Sequence, residues 1–348
     1  VSKKAIILFN LGGPASLAEV RSFLFNLFYD KAIIRLPNPV RYLIARLISS
    51  LRTQKAQKIY SQIGGRSPIL ENTIAQAKEL EKKVNRDHPD VEFKVFVCMR
   101  YSAPFSADVV KEVIKGGYGE ILLVPLYPQF SSTTTKSSYD DFIKSLPKFY
   151  SGKIKLLCCY PTQNTFISAH AELINEEIKG SRGKRTRILF SAHGLPESVI
   201  KNGDPYQWQV EQTVNEVVRE IGIRDLDYKI CYQSRVGPMK WIGPSTEDCI
   251  KESGQQGKDV VLVPIAFVSE HSETLVELDL EYRDLAISSG VKKYKRVKTL
   301  SQSEIFIESL SKMCMMLCDV TCDKKFLVTS SEKRRICPQN FCNCMCEE

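Results

Sequence analysis

His193 and His271 are two of only four histidines in the chain, and each closes an apolar, strand-like run. His193 stands in Ile188-Leu-Phe-Ser-Ala-His-Gly-Leu-Pro196. His271 ends Val260-Val-Leu-Val-Pro-Ile-Ala-Phe-Val-Ser-Glu-His271, and Glu273 follows two residues on. Residues just past the carboxyl ends of strands in an open parallel α/β sheet line its ligand crevice. Two imidazoles and a carboxylate placed this way can hold a divalent metal, move protons near neutral pH, or do both. Glu270, Glu273, Glu277 and Glu281 recur at spacings of three and four, which makes one acidic helix face. A solvated face and a path for cations or protons both account for that pattern.

Three other segments carry candidate chemistry. Asn10-Leu-Gly-Gly-Pro14 sits after the first strand, where phosphate loops lie, but has neither the G-x-G-x-x-G spacing nor a Gly-Lys-Ser/Thr. A tight turn bringing backbone close to a flat ligand fits it better. Ile63-Gly-Gly-Arg-Ser-Pro68, with Arg52, Arg66 and Ser67 as donors, reads as a carboxylate site or a solvated turn. Trp241, in the Pro- and Gly-rich loop 233–244, either stacks on a planar ligand or plugs a domain interface.

The elements that must position these residues alternate along the chain. Apolar, β-rich runs at 5–9, 93–97, 121–125, 154–158, 188–190, 228–231 and 260–264 are separated by amphipathic stretches such as 72–84, 106–114, 166–178, 207–221 and 272–287. Continuous apolar strands divided by helices signal a parallel sheet covered on both faces. Ile121-Leu-Leu-Val-Pro-Leu-Tyr-Pro128 echoes Val260-Val-Leu-Val-Pro-Ile-Ala-Phe267. The repeat predicts an α/β chain of two similar doubly wound domains, 1–165 and 166–320, with a cleft between them and a tail over 321–348. Segment 23–51 breaks the alternation. Its Leu, Ile, Phe and Tyr, punctuated by Arg35, Arg41 and Arg46, suit either an amphipathic element at a membrane interface or a buried helical hairpin.

Composition narrows the function class. The 348 residues are 43% hydrophobic and 26% charged, with a formal charge of +9. No apolar run approaches the roughly eighteen residues needed to span a bilayer. The surplus charge is spread out, with modest clusters at 292–298 and 333–335 that read as solvated surface, so nucleic acid is not an expected partner. The opening run enters a strand at once, which predicts a cytoplasmic chain; because it begins on Val1, a trimmed leader stays open. Twelve cysteines are many for a reducing compartment. Cys98, Cys158, Cys159, Cys231 and Cys249 read as small core residues, and Cys314 and Cys318 share a helical face, with Cys322 next. Cys337, Cys342, Cys344 and Cys346 crowd the tail and suit a [2Fe–2S] cluster, zinc or no metal at all.

In combination these motifs resemble the ferrochelatases from Ala5 to about Tyr282. The resemblance is carried by Asn10-Leu-Gly-Gly-Pro14, Arg52-Thr, Tyr60 with Ile63-Gly-Gly-Arg-Ser-Pro-Ile69, Met99-Arg-Tyr101, Leu126-Tyr-Pro-Gln129, Phe190-Ser-Ala-His-Gly-Leu-Pro196, Gly203-Asp-Pro-Tyr206, Tyr232-Gln-Ser-Arg-Val-Gly-Pro-Met239 with Trp241, and the run from Pro264 through His271 and Glu273 to Asp279. It implies two Rossmann-like domains, each a parallel four-stranded sheet flanked by helices, around a porphyrin. It implies insertion of Fe(II) as substrate into protoporphyrin IX to form protoheme, the last step of heme biosynthesis, with release of two protons. By matching position, His193 and Glu273 would bind the iron or take the pyrrole protons, while His271 and Glu277 would extend a proton or metal path. Leu11, Arg52, Tyr60, Ser67, Arg100 and Trp241 would contact the porphyrin, and 23–51 would be the lip that touches a membrane. The expected location is cytoplasmic, peripheral at the inner membrane, with a homodimer left open.

The tail departs from the animal pattern, in which the fourth cluster cysteine follows the Tyr-Pro-Gln-Tyr/Phe motif; Ser132 stands there in this chain. Cys337, Cys342, Cys344 and Cys346 would have to supply a [2Fe–2S] cluster themselves. The competing functions are a coproporphyrin III ferrochelatase, a heme-binding protein on the same scaffold without catalysis, and a nucleotide-binding protein.

Overall fold

Leucine- and valine-rich runs with polar flanks become strands whose both faces are covered, because helices return between them. The structure is a computed structural model that describes residues 2–179, 185–235, 239–320 and 325–346. It divides into two units, Val1–Cys159 with Leu310–Arg335 and Met345–Glu348, and Tyr160–Ser309 with Ile336–Cys344. The strands in chain order are β1 (Ser2–Asn10), β2 (Val91–Met99), β3 (Glu120–Pro125), β4 (Lys153–Leu157), β5 (Thr186–His193), β6 (Tyr228–Gln233), β7 (Asp259–Pro264), β8 (Tyr294–Arg296) and β9 (Phe326–Thr329).

The first unit holds the parallel sheet β2-β1-β3-β4-β9. Ala5, Ile7 and Phe9 alternate along β1 onto one face, where they meet Ile121, Leu123, Ile154 and Leu156 from neighbouring strands and Val109, Val110, Val113 and Phe142 from covering helices. This sheet has five strands rather than the expected four. The segment read as a tail supplies β9, pairing Ile154 with Phe326 and Leu157 with Thr329. A four-residue strand with an exposed first residue leaves too little apolar pattern to be seen in sequence.

The second unit holds the parallel sheet β6-β5-β7-β8. Leu189, Cys231, Val260 and Leu262 of its strands pack against Cys249, Ile250, Leu278, Tyr282 and Ala286. The helix expected over 272–287 is two elements, a π-helix Glu273–Glu281 running into an α-helix Tyr282–Ser288. Wide π turns are rare and concentrate at functional sites. Leu278, Tyr282 and Ala286 anchor the pair of helices to the sheet, so the acidic residues between them are held in a fixed rotation.

Segment 23–51 belongs to the Val20–Tyr29 helix, a connecting turn and the Asn38–Ser61 helix, whose start is marked by Pro39 in its first turn. Ala45 and Ser49 of the second helix face inward. Val40, Leu43, Leu47 and Leu51 form the opposite stripe at 47%, 66%, 59% and 73% exposure. Among the described residues no helix is long and apolar enough to cross a membrane.

Candidate active site

The histidine that sequence placed after a strand is the strand's own last residue. His193 ends β5 directly opposite Gln233, which ends β6. His271 lies well beyond Pro264, the end of β7, in the irregular stretch that leads to the π-helix. The two meet at one carboxylate: His193 Nδ1 is 3.0 Å from Glu273 Oε2, and His271 Nε2 is 3.9 Å from the same oxygen. His271 Nδ1 sits 3.2 Å from the Ser269 carbonyl. A carbonyl only accepts, so that nitrogen carries the proton and Nε2 faces Glu273. The His193 side chain is 39% exposed and that of His271 8%, so His193 is the imidazole a substrate can reach.

The acidic face does not stay together. Glu273 and Glu277 turn to one side, where Ser234 joins them: its amide donates to Glu277 Oε1 at 2.9 Å, and its hydroxyl lies 2.5 Å from Glu277 Oε2 and 3.3 Å from Glu273 Oε2. Tyr282 donates to Glu277 Oε1 at 3.0 Å. Glu270 turns instead to Arg296, and Glu281 is exposed. Ser234 reaches both carboxylates because its backbone is left-handed, with φ of 60°. That conformation is uncommon outside glycine, and nothing in the residue type announces it. Gln233 completes this wall, with its Oε1 accepting from Ser191 at 2.8 Å.

Electrostatics follow from the packing. Burial works against a charged His193, but the Glu273 carboxylate on its Nδ1, with Glu277 behind, outweighs burial and raises its pKa above 6.5. Burial would also raise Glu273, yet the two histidines hold it well below the usual carboxylate range. Glu277 goes the other way: burial, then the neighbouring Glu273 charge, push it up. Two neighbouring carboxylates with opposed shifts beside a basic imidazole are the pattern that separates acid from base roles in a site.

The remaining residues of interest in this unit include Trp241, whose backbone bridges to Pro196 and whose ring edge faces Gly194. Residues 236–238 of its loop lie outside the described residues. In the first unit, Leu11 and Tyr60 join one apolar cluster with Phe23, Leu24 and Tyr101, just past the end of β1. Arg52 lies over the Phe28 ring at 5.5 Å. Ser67 is buried against Gly13, where an added Cβ would stand 2.5 Å from its hydroxyl. The Asn10–Pro14 turn thus packs its backbone against Ser67 and Ser102, which explains its paired glycines. Arg66 pairs with Glu71 at 2.8 Å on the surface. Arg100 points inward, with Nε 2.8 Å from Ser137 and Nη2 3.0 Å from Asp30.

Cys337 is buried and its sulfur accepts from Gln209 Nε2 at 3.0 Å. Cys342 is exposed, with its sulfur 3.5 Å from the Asn202 carbonyl, and Cys344 is half-buried. Cys346, in the first unit, is buried beside Cys158, whose sulfur is 3.3 Å from that of Cys159; hydrogen bonding among these thiols, with burial, raises Cys158 well above its usual value. Among the described residues no group of three or more His, Cys, Asp or Glu is arranged to hold a metal ion. Cys322 lies outside the described residues.

The ferrochelatase family model matches residues 3–316. The chain belongs to the ferrochelatase family. A ferrochelatase from Rickettsia bellii is 51% identical over 352 residues, covering 99% of this chain and 96% of the relative. One from Pelagibacter ubique is 50% identical over 345 residues, covering 99% and 98%. A structure of SirB from Bacillus subtilis with Fe3+ superposes with a TM-score of 0.56 at 10% identity, covering 92% of this chain and 96% of that one, a likeness of fold. The family's span includes both units' sheets except β9, and every residue of the His193–Glu273–Glu277 site.

Proposed function

We infer that this chain inserts ferrous iron into protoporphyrin IX to form protoheme, with His193 and Glu273 as the groups that meet the reacting atoms. Family membership over nearly the whole length supports the reaction. The observation that carries the assignment of residues is the His193–Glu273 contact at 3.0 Å, on an imidazole that is still 39% exposed. A free-base porphyrin must lose two N–H protons before a metal sits in its plane. Neutral His193, its Nδ1–H held by Glu273, presents Nε2 as the acceptor, and the carboxylate stabilises the imidazolium that forms. Ferrous iron, a borderline acid, accepts imidazole and carboxylate, so the same pair suits its delivery as substrate. Glu277 and His271 extend the path: Glu277 shares Ser234 with Glu273, and burial beside the Glu273 charge raises its pKa.

Leu11, Tyr60, Ser67 and Trp241 contact the porphyrin in this reading, and Arg52 meets a propionate. Arg100 has its donors on Asp30 and Ser137, which supports a role in holding the wall. The exposed stripe Val40, Leu43, Leu47 and Leu51, flanked by exposed Arg35 and Arg46, supports peripheral membrane attachment from the cytoplasmic side. For the tail, a [2Fe–2S] cluster on Cys337, Cys342, Cys344 and Cys346 is supported by the density of thiols in the sequence alone, since the described residues bring no three of them together. The visible and electron paramagnetic spectra of the anaerobically purified protein test it, with C337S expected to abolish a cluster signal.

The activity is tested by supplying Fe(II) anaerobically with protoporphyrin IX or coproporphyrin III. Heme formed from protoporphyrin is the expected result. Turnover of coproporphyrin alone overturns the substrate, and binding of either without turnover overturns catalysis.

A further inference from the structure

The basic run 292–298 has one member that is not on the surface. Arg296, the last residue of β8, has 8% of its side chain exposed. Its guanidinium closes on Asp279 as a fork, with Nε 2.8 Å from Oδ1 and Nη2 2.6 Å from Oδ2. The remaining nitrogen, Nη1, donates to Glu270 Oε1 at 2.6 Å, an oxygen that also accepts the Thr299 amide at 3.0 Å. Glu270 immediately precedes His271, and Asp279 lies two residues past Glu277. One guanidinium therefore grips both ends of the stretch that carries His271, Glu273 and Glu277.

We propose that Arg296 is a positioning residue for metal insertion, holding segment 270–279 so that Glu273 and Glu277 face His193 and Ser234. The chain between Pro264 and the π-helix has no strand or helix ladder over 265–271, so its side-chain anchors set where Glu273 falls. The π-helix is a rare form, met mostly at functional sites. With Glu270 and Asp279 drawn to Arg296, Glu273 and Glu277 are turned to the opposite side, which is the rotation the site uses. Arginine is needed because a planar fork meets a carboxylate with two bonds and a third group with another, whereas a lysine keeps the charge but not the geometry. Misplacing reacting groups by about 1 Å costs on the order of a hundredfold in rate.

The inference rests on the reading that His193 and Glu273 carry the chemistry, so the test includes E273Q beside R296K and D279N. Each variant is checked for native circular dichroism and melting above the assay temperature. Then kcat, KM for Fe(II) and the equilibrium Kd for protoporphyrin are measured. For R296K we expect kcat to fall at least tenfold and KM for Fe(II) to rise, with porphyrin Kd within twofold of the parent; D279N moves the same way by less. R296K with kcat within twofold of the parent overturns the proposal, as do parallel losses of kcat and porphyrin affinity, which mark a merely structural residue. Should R296K fail to fold, D279N decides on the same criteria. An active E273Q overturns the underlying reading and the proposal with it; an inactive E273Q beside a fully active R296K overturns the role of Arg296 alone.

Discussion

Each unit gathers polar residues past the carboxyl ends of its strands, but one network is closed and the other open. In the first unit, Arg100 follows β2 and is met by Asp30, Ser137 and, at 3.6 Å, Asp141, while Tyr101 donates to Asp30 at 2.7 Å. A cation, its acids and its hydroxyls satisfy one another, and the Asp30 side chain is 6% exposed. In the second unit, His193 and His271 meet at Glu273, whose pKa shift is opposed to that of neighbouring Glu277, and the His193 side chain is 39% exposed. A satisfied network stiffens a fold; a network of titratable groups open to solvent leaves room for a proton and a metal to enter. The difference between the units lies in access, not in position on the sheet.

Breaking the open network should cost chemistry. H193A is expected to lower metal insertion by roughly 10²–10⁴-fold, the range for losing a positioned proton acceptor, while porphyrin binding measured by fluorescence quenching stays close to that of the parent. E273Q should follow at about a hundredfold in kcat, again with little change in porphyrin affinity; equal losses in both would move Glu273 from chemistry to pocket structure. Breaking the closed network should cost stability instead. Removing Asp30 as D30A takes the nearer carboxylate from half-buried Arg100 and the acceptor from buried Tyr101, and should lower the unfolding free energy by about 3 kcal/mol, read from denaturant melts. The smallest effect in solution belongs to the lip: L47S with L51S should leave stability within about 0.5 kcal/mol and abolish sedimentation with anionic vesicles.

The open network was largely legible in the sequence, and the closed one was not. His193 and Glu273 stand out because histidine is scarce and both follow or flank apolar runs that can only be strands. Ser234 is invisible there, since its role depends on a left-handed backbone that serine does not signal. Arg296 hides in a charge run whose ordinary meaning is solvated surface, and only the fold brings it to Asp279 and Glu270. Arg100 is conspicuous, but its partners Asp30 and Asp141 are distant in sequence, so its inward orientation needed the packed structure. Strand β9 was lost to its shortness and to the cysteines that drew the tail toward a metal site.

The pairing of Glu273 with His193 is tested most directly by the pH dependence of kcat/KM in the parent and in E273Q. Folded His193 titrates above 6.5 because of Glu273, so the imidazole becomes a free acceptor only as pH rises through that raised value. Removing the carboxylate should lower the His193 pKa and move the acid limb of the profile to lower pH, even as the maximum falls. An acid limb that stays in place in E273Q would contradict the account.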